Sequence, residues 1–314
     1  MNRIKALLAT CLLVAAAVLP VHAADDWQSL TTQAETLYRQ GHFDQALAVT
    51  QSALKEAEKH KNNAEQISAS LNGIGQIYQD QENYAEAETY LKRALAVREK
   101  ALGPNHVNVA MSANNLGALY QQQGDYARAE PLFKRAIAVL EKAQGAEHPA
   151  VAQALNNLGA MYLNNKQFDQ AEPLFQRALA INEKALGRDH PEVAQNLEHL
   201  GFVALNRNQA KDAVPLFERA NSIRERAYGG GHPEAAIGYN NLARAYLAAD
   251  RNDEAGPLAK RALEVVESTM GPSHPYVVSV LKNLAVYYQK TGKEPEFKAT
   301  VERIKAMTTA PGQS

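Results

Sequence analysis

The chain has 314 residues, 46% hydrophobic and 21% charged, with a formal net charge of −1 and a mean hydropathy of −0.39. That balance excludes the basic footprint of a nucleic-acid binder and the polybasic patch of a membrane-surface protein. The single cysteine, Cys11, excludes a disulfide framework.

At the N-terminus, Arg3 and Lys5 precede an uncharged apolar run, Ala6–Leu19, followed by Pro20 and Val21-His22-Ala23. The charged, apolar and small-residue layout predicts a secretory signal over residues 1–23, cut after Ala23. A membrane anchor is the competing reading. A run this short rises only about 21 Å as a helix, against a hydrocarbon core of about 30 Å. Leu8-Ala9-Thr10-Cys11 faintly resembles a lipid-attachment site, but most of the apolar run follows Cys11 instead of preceding it. The expectation is an exported, periplasmic chain without stable membrane insertion once the signal is removed.

From Trp27, a packing anchor on the first helix, a repeat sets in. Val107–His148 and Pro149–His190 are identical at 21 of 42 positions. Histidines recur at 106, 148, 190, 232 and 274, and alanines at 87, 129, 171, 213 and 255. A fixed period of this kind marks a solenoid, in which each unit buries its apolar face only against its neighbours. Within one unit, Val151, Leu155, Leu158 and Tyr162 keep the spacing of one helical face, predicting a helix over Pro149–Asn164. A second helix is expected over Phe168–Leu186, stopping at Gly187 in a left-handed conformation. Pro131, Pro173, Pro215 and Pro257 fall inside the second helices, where a local distortion is expected. The last pair is predicted as Pro275–Lys290 and a short Glu296–Ala306. The solenoid is assigned to residues 24–307, about six repeats and a C-terminal capping pair, with 308–314 as a flexible tail.

Leu-Gly-x-x-Tyr on the first helix, with alanine, phenylalanine and alanine on the second, resembles the tetratricopeptide repeat. The form NNLGxLY…GDYxxAEPLFKRAL…EKALGxxHP, at a period of 42, is similar to the long repeats of kinesin light chain. The resemblance covers nearly all of the chain after the signal. It implies an all-α, right-handed superhelical solenoid of antiparallel helix pairs, a general scaffold for protein interaction.

The resemblance also implies which residues face a concave groove. The two positions before each Leu-Gly are Asn72 and Gly73, Asn114 and Asn115, Asn156 and Asn157, Glu198 and His199, Asn240 and Asn241, and Lys282 and Asn283. Further groove positions are Gln76, Gln79, Ala118, Gln121, Ala160, Leu163, Phe202, Leu205, Arg244 and Leu247. An asparagine amide offers both a donor and an acceptor, so it can pair with any extended peptide backbone. Alternatively, one asparagine of each pair ties adjacent repeats together. Phe202, Leu205 and Leu247 suggest an apolar anchor near the fifth and sixth repeats.

The histidine row invites a metal reading. Equivalent positions in stacked repeats lie about 8–10 Å apart, too far to share one ion at about 2.1 Å. A helix-start and packing role is expected. No GxSxG, HExxH or phosphate-loop pattern occurs, so neither catalysis nor a cofactor is expected. The leading reading is a non-enzymatic scaffold binding an extended peptide segment or protein partner in the groove. The alternative is a structural subunit that assembles through its repeat ends or convex face.

Overall fold

The computed structural model describes residues 21–60 and 63–309. Most of the predicted signal and the end of the predicted tail lie outside them. Fourteen helices are present among the described residues: α1 Val21–Arg39, α2 Phe43–Glu58, α3 Ala64–Asp80, α4 Tyr84–Leu102, α5 Val107–Gln122, α6 Tyr126–Gln144 and α7 Pro149–Asn164, followed by α8 Phe168–Leu186, α9 Pro191–Asn206, α10 Ala210–Tyr228, α11 Pro233–Ala248, α12 Asn252–Met270, α13 Pro275–Lys290 and α14 Glu294–Thr309. The chain is all-α, a solenoid of helix pairs. It falls into two compact units, one ending at Gln167 and the other starting at Phe168.

In each unit a helix packs on the helices before and after it, and each first helix also touches the next first helix: α1 on α3, α3 on α5, α5 on α7, then α9 on α11 and α11 on α13. No such contact joins successive second helices among the described residues. The first helices therefore form the inner, closer-packed row of each unit.

The repeated small residues make this spacing possible. Ala87, Ala129, Ala171, Ala213 and Ala255 are fully buried, as are Phe133, Phe175 and Phe217 on the second helices, to within about a hundredth of their surface. A Cβ added to Gly201 would stand 2.5 Å from the Phe217 ring, so glycine lets that ring lie directly on the first helix. Trp27 is buried and donates from Nε1 to Ser70 Oγ at 3.0 Å.

The helices run unbroken through Pro131, Pro173, Pro215 and Pro257. Each proline is the sixth residue of its helix, so the one backbone bond it forfeits lies at the helix start; for Pro131 the orphaned acceptor is the carbonyl of exposed Ala127, which water can satisfy. The final helix is longer than the sequence suggests, beginning at Glu294 and running to Thr309. Its Pro295 sits in the first turn, where proline is tolerated.

The glycines that end α4, α6, α10 and α12 do not adopt the left-handed helical geometry expected of such a glycine. Gly145 has φ 94° and ψ 152°, an extended conformation with positive φ that is essentially reserved for glycine. Positive-φ residues occur also in the turn inside each pair, at Gly41, Glu82, Gly124, Lys166, Asn208, Asp250 and Gly292.

Candidate interaction surface

The five histidines are helix caps. In His106, His148, His190, His232 and His274, Nδ1 accepts the backbone N–H two residues later at 3.1–3.2 Å. Each residue is extended and immediately precedes α5, α7, α9, α11 or α13. The imidazole thus satisfies one of the orphan donors of the first turn, and its proton is fixed on Nε2.

The paired asparagines are largely engaged with one another. Asn115 Nδ2 donates to Asn72 Oδ1 at 3.4 Å, Asn157 Nδ2 to Asn114 Oδ1 at 2.7 Å, and Asn283 Nδ2 to Asn240 Oδ1 at 2.7 Å. The offset is 43 residues, one repeat plus one, so the second asparagine of a pair reaches back to the first asparagine of the preceding pair. Gln79 and Gln122 follow the same offset at 2.7 Å. The amides tie first helix to first helix, the inter-repeat role that sequence reasoning carried as its alternative.

The fifth repeat departs from this pattern. Glu198 replaces the first asparagine, and its Oε1 accepts from Asn241 Nδ2 at 3.2 Å. It is nearly fully buried and pairs side-on with buried Arg224, Nε to Oε1 at 3.0 Å and Nη2 to Oε2 at 2.7 Å, while Arg224 also bridges to Glu234. Burial opposes the arginine's charge, but the two carboxylates outweigh it and hold its pKa above the ordinary value. His199 replaces the second asparagine. Its ring stacks on Phe175 with centroids 4.6 Å apart, and its buried Nδ1 has no hydrogen-bond partner. Desolvation, reinforced by the Arg224 charge, pulls its pKa down to about 4, so the ring is neutral at pH 7.

The remaining predicted groove residues divide by burial. Asn156, Asn240 and Leu247 are buried, which withdraws them from any solvent-facing surface; Leu247 belongs to the core of the C-terminal unit. Helical phase alone does not decide this, since Leu163 and Leu205 share the repeat position of Leu247, and Asn114 that of Asn156, but are half-buried. Asn240 donates to Tyr276 Oη and Ser279 Oγ on α13. Phe202 and Leu205 are half-buried against that same core. Gln76, Gln121, Leu163 and Asn241 are half-buried and Arg244 is exposed. Its guanidinium carbon lies 5.5 Å from the Phe202 ring centroid, and Phe202 meets Phe217 edge-on at 5.1 Å.

Two exposed apolar side chains on this row, Met111 at 42% and Val286 at 40%, were missed by the sequence reading. Val286 lies 42 residues after Arg244, at the repeat position that also holds Gln76, Ala118, Ala160 and Phe202, so the period alone points to it. Met111 belongs to no repeated motif, and only its helical phase could have found it. The charge pattern is the other signal. Helices α5 and α7 contain no Asp, Glu, Lys or Arg at all, in a chain that is 21% charged. Among the described residues no helix is long and apolar enough to cross a membrane.

A tetratricopeptide-repeat family model matches residues 66–142, 150–226, 196–255 and 234–296, and related models match 114–185 and 27–51. Among solved structures, the Podosopora anserina kinesin light chain "nearly identical TPR-like repeats" is 27% identical, covering 67% of this chain and 99% of that one, with a TM-score of 0.56. BtubC (BKLC) from P. vanneervenii is 19% identical over 74% of this chain and 94% of that one, at 0.60. The apo quorum sensor NprR from B. thuringiensis is 12% identical over 91% and 77%, at 0.68, a likeness of fold alone. No curated protein matches significantly. With matched repeats running through most of the sequence, and with the paired helices, the small-residue packing and the 42-residue period now accounted for, the chain belongs to the tetratricopeptide repeat family, in its long, kinesin-light-chain-like form.

Proposed function

We propose that this protein is an exported scaffold that binds an extended segment of a protein partner on an inner row of first helices within a unit, with residues 1–23 serving as a secretory signal and the periplasm as its compartment. Tetratricopeptide repeats are in general non-catalytic interaction scaffolds, which supplies the coarse part of this reading. The observation that carries the finer part is the charge-free first helix. Helices α5 and α7 place all Asp, Glu, Lys and Arg side chains of their repeats elsewhere, yet present half-exposed Ala118, Gln121, Gln153, Ala160 and Leu163 and exposed Met111. A solvated surface of a soluble protein normally carries charge; a neutral face of amides and small apolar groups suits contact with main chain.

Assembly through the repeat ends is the less supported reading. The terminal helix α14 carries exposed Glu296, Lys298, Glu302 and Lys305, with Lys298 paired to Glu294 at 3.3 Å, the polar face of a cap.

The test compares two variants against the parent chain in affinity capture from envelope extract. Met111→Asp with Val286→Asp alters the inner rows of both units; Lys211→Glu with Lys260→Glu alters exposed positions of α10 and α12. A specific partner lost only by the first pair supports the proposal. A partner lost only by the second moves the interaction to the outer row, and one retained by both sinks the groove reading. Alkaline phosphatase fused after residue 23 tests export: activity outside the cytoplasm is expected, and its absence removes the periplasmic assignment.

A further inference from the structure

Sulfur is scarce in this chain and unevenly placed. The lone cysteine, Cys11, lies within the predicted signal, and four methionines follow it. Met161 is fully buried, Met307 is half-buried against the core of the C-terminal unit, and Met270 is exposed at the end of α12. Met111 is the most exposed of the four and lies on α5, which has no Asp, Glu, Lys or Arg. Asn115 stands one turn further on, about 40° around the same helix. Its Nδ2 donates to Asn72 Oδ1 on α3 at 3.4 Å, whereas the two corresponding asparagine rungs measure 2.7 Å. The next repeat shows what a polar group reaches from the position of Met111. Gln153 stands there, 42 residues later, and its Nε2 donates to Oδ1 of Asn157, the counterpart of Asn115, at 3.3 Å. Asn157 keeps its own Nδ2 for the rung to Asn114.

We propose that Met111 is a site of reversible oxidation by peroxide, and that its sulfoxide loosens α5 from α3 and weakens partner binding on the inner row of this unit. The second effect rests on the reading that this row binds a partner. The thioether lone pair attacks one oxygen of the peroxide. An S–O bond forms and the O–O bond breaks, and the departing hydroxide takes the proton of the transferred oxygen and leaves as water. Sulfur gives up two electrons and the peroxide gains them. The product resembles glutamine in shape, because its oxygen sits on the third side-chain atom, where glutamine carries its amide. One difference decides the outcome. Glutamine has an N–H to give, as Gln153 gives to Asn157, so the asparagine Nδ2 stays on its rung. A sulfoxide has only an acceptor. It therefore draws on Asn115 Nδ2, the donor held at the long 3.4 Å, and the rung to Asn72 opens. The bond from Gln79 to Gln122, at 2.7 Å near the C-terminal ends of the same two helices, is out of reach, so α5 loosens at one end only. The sulfoxide also turns an exposed apolar side chain of a neutral face into a polar one.

The experiment treats the full chain from Ala24 with hydrogen peroxide, alongside Met111→Leu, Met111→Gln and Met270→Leu, each first shown by circular dichroism to be equally helical. Peptide mass spectrometry reads the site: Met111 should gain oxygen well ahead of buried Met161. Hydrogen exchange reads the rung. In the parent and in Met270→Leu, peroxide should speed amide exchange around Asn72 and Asn115 by about two- to tenfold, the range that one lost hydrogen bond gives. Methionine sulfoxide reductases with a thiol should reverse the change. Met111→Leu and Met111→Gln should not respond to peroxide. Met111→Gln should also exchange more slowly than the oxidised parent, because it matches the sulfoxide in shape and polarity but still has a donor. Met111 no more reactive than Met161, exchange unaltered by its oxidation, or a response that persists in Met111→Leu overturns the inference. Binding is read by capture from envelope extract, where the oxidised parent should recover the partner of the reduced parent at least about threefold less well. Equal recovery overturns the inference and leaves the inner-row reading standing. A reduced parent that captures no partner sinks that reading and the claimed effect on binding with it, while the exchange result still decides whether Met111 controls the rung.

Discussion

Asn157 donates from Nδ2 to Oδ1 of Asn114 at 2.7 Å, joining two first helices 43 positions apart in sequence. The bond is half-buried and repeats down the stack with the same offset, at Asn115–Asn72 and Asn283–Asn240. Replacing Asn157 by Asp sets a carboxylate oxygen against an amide oxygen, with no donor between them. The loss of the bond and the unpaired acceptor together should cost about 1–3 kcal/mol, whereas Asn164→Asp, exposed at the end of the same helix, should cost less than about 0.5 kcal/mol. Thermal or urea unfolding of the two variants measures the contrast. Equal stabilities would mean that the amide row does not hold the repeats together.

Stability also resides in the histidine caps. His148→Ala removes the acceptor for the Ala150 N–H and should lower stability by about 1 kcal/mol. His148→Asp restores a stronger cap and places negative charge at the helix start, so it should recover or exceed the parental melting temperature. A metal role would give the opposite order on addition of Zn²⁺: the parent alone would be raised by the ion.

The turns inside the pairs hold a different kind of reserve. Lys166 has φ 58°, in the same turn position where Gly124 has φ 76°. A side chain with a Cβ is disfavoured there by about 1 kcal/mol or more. Lys166→Gly should therefore raise stability by up to about 1 kcal/mol, offset in part by the greater freedom of glycine in the unfolded chain. Gly145→Ala, at φ 94° and ψ 152°, should lower it by about 1–3 kcal/mol. Denaturant midpoints at constant slope distinguish the two.

The fold was legible because its determinants are periodic. Alanines that recur at 42 residues, a Leu-Gly pair and a His-Pro junction each mark one phase of the repeat, and the helices Pro149–Asn164 and Phe168–Leu186 have the bounds that this phase predicts. The groove was less legible. A groove-facing asparagine and a ladder asparagine have the same identity and the same helical phase; only the offset of 43, which depends on how far one helix slides along the next, separates them. Leu247 was misplaced for a related reason: its position is half-exposed Leu163 and Leu205 in earlier repeats but buried in this one. Met111 went unnoticed because its repeat position holds unlike residues, Gln153, Gln195, Ile237 and Ser279, whereas Val286 was overlooked although it stands at the repeat position of Phe202 and Arg244.

The charged interruption in the fifth repeat is a case where two substitutions make sense only together. Glu198 and Arg224 are both nearly fully buried. Removing Arg224 leaves Glu198 buried and charged without its cation, so Arg224→Leu alone should cost about 3–5 kcal/mol. Adding Glu198→Asn reproduces the combination Asn114 with Leu140 found two repeats earlier. The double variant should regain most of that loss, and a hydrophobic replacement of a buried ion pair is often neutral. A double-mutant cycle measured by urea unfolding gives the coupling; additive losses would show that the two side chains do not act as a pair.

His199 gives this same region an acid sensitivity whose sign can be worked out. Its folded pKa is about 4, lowered by desolvation first and by the Arg224 charge second, against about 6.5 in an unfolded chain. Between those values the unfolded state binds the proton and the folded state does not, so stability increases with pH across that window. The contribution is fully present above about pH 6.5 and is lost as the pH falls toward 4, up to about 3 kcal/mol in all. His199→Asn restores the residue found at positions 115, 157, 241 and 283 and removes the titrating group. Its unfolding free energy should therefore fall less steeply than the parent's between pH 6.5 and 4, while the two slopes agree above pH 7. If both chains lose stability in parallel through that window, the acid response belongs to carboxylates elsewhere and the buried imidazole is not its source.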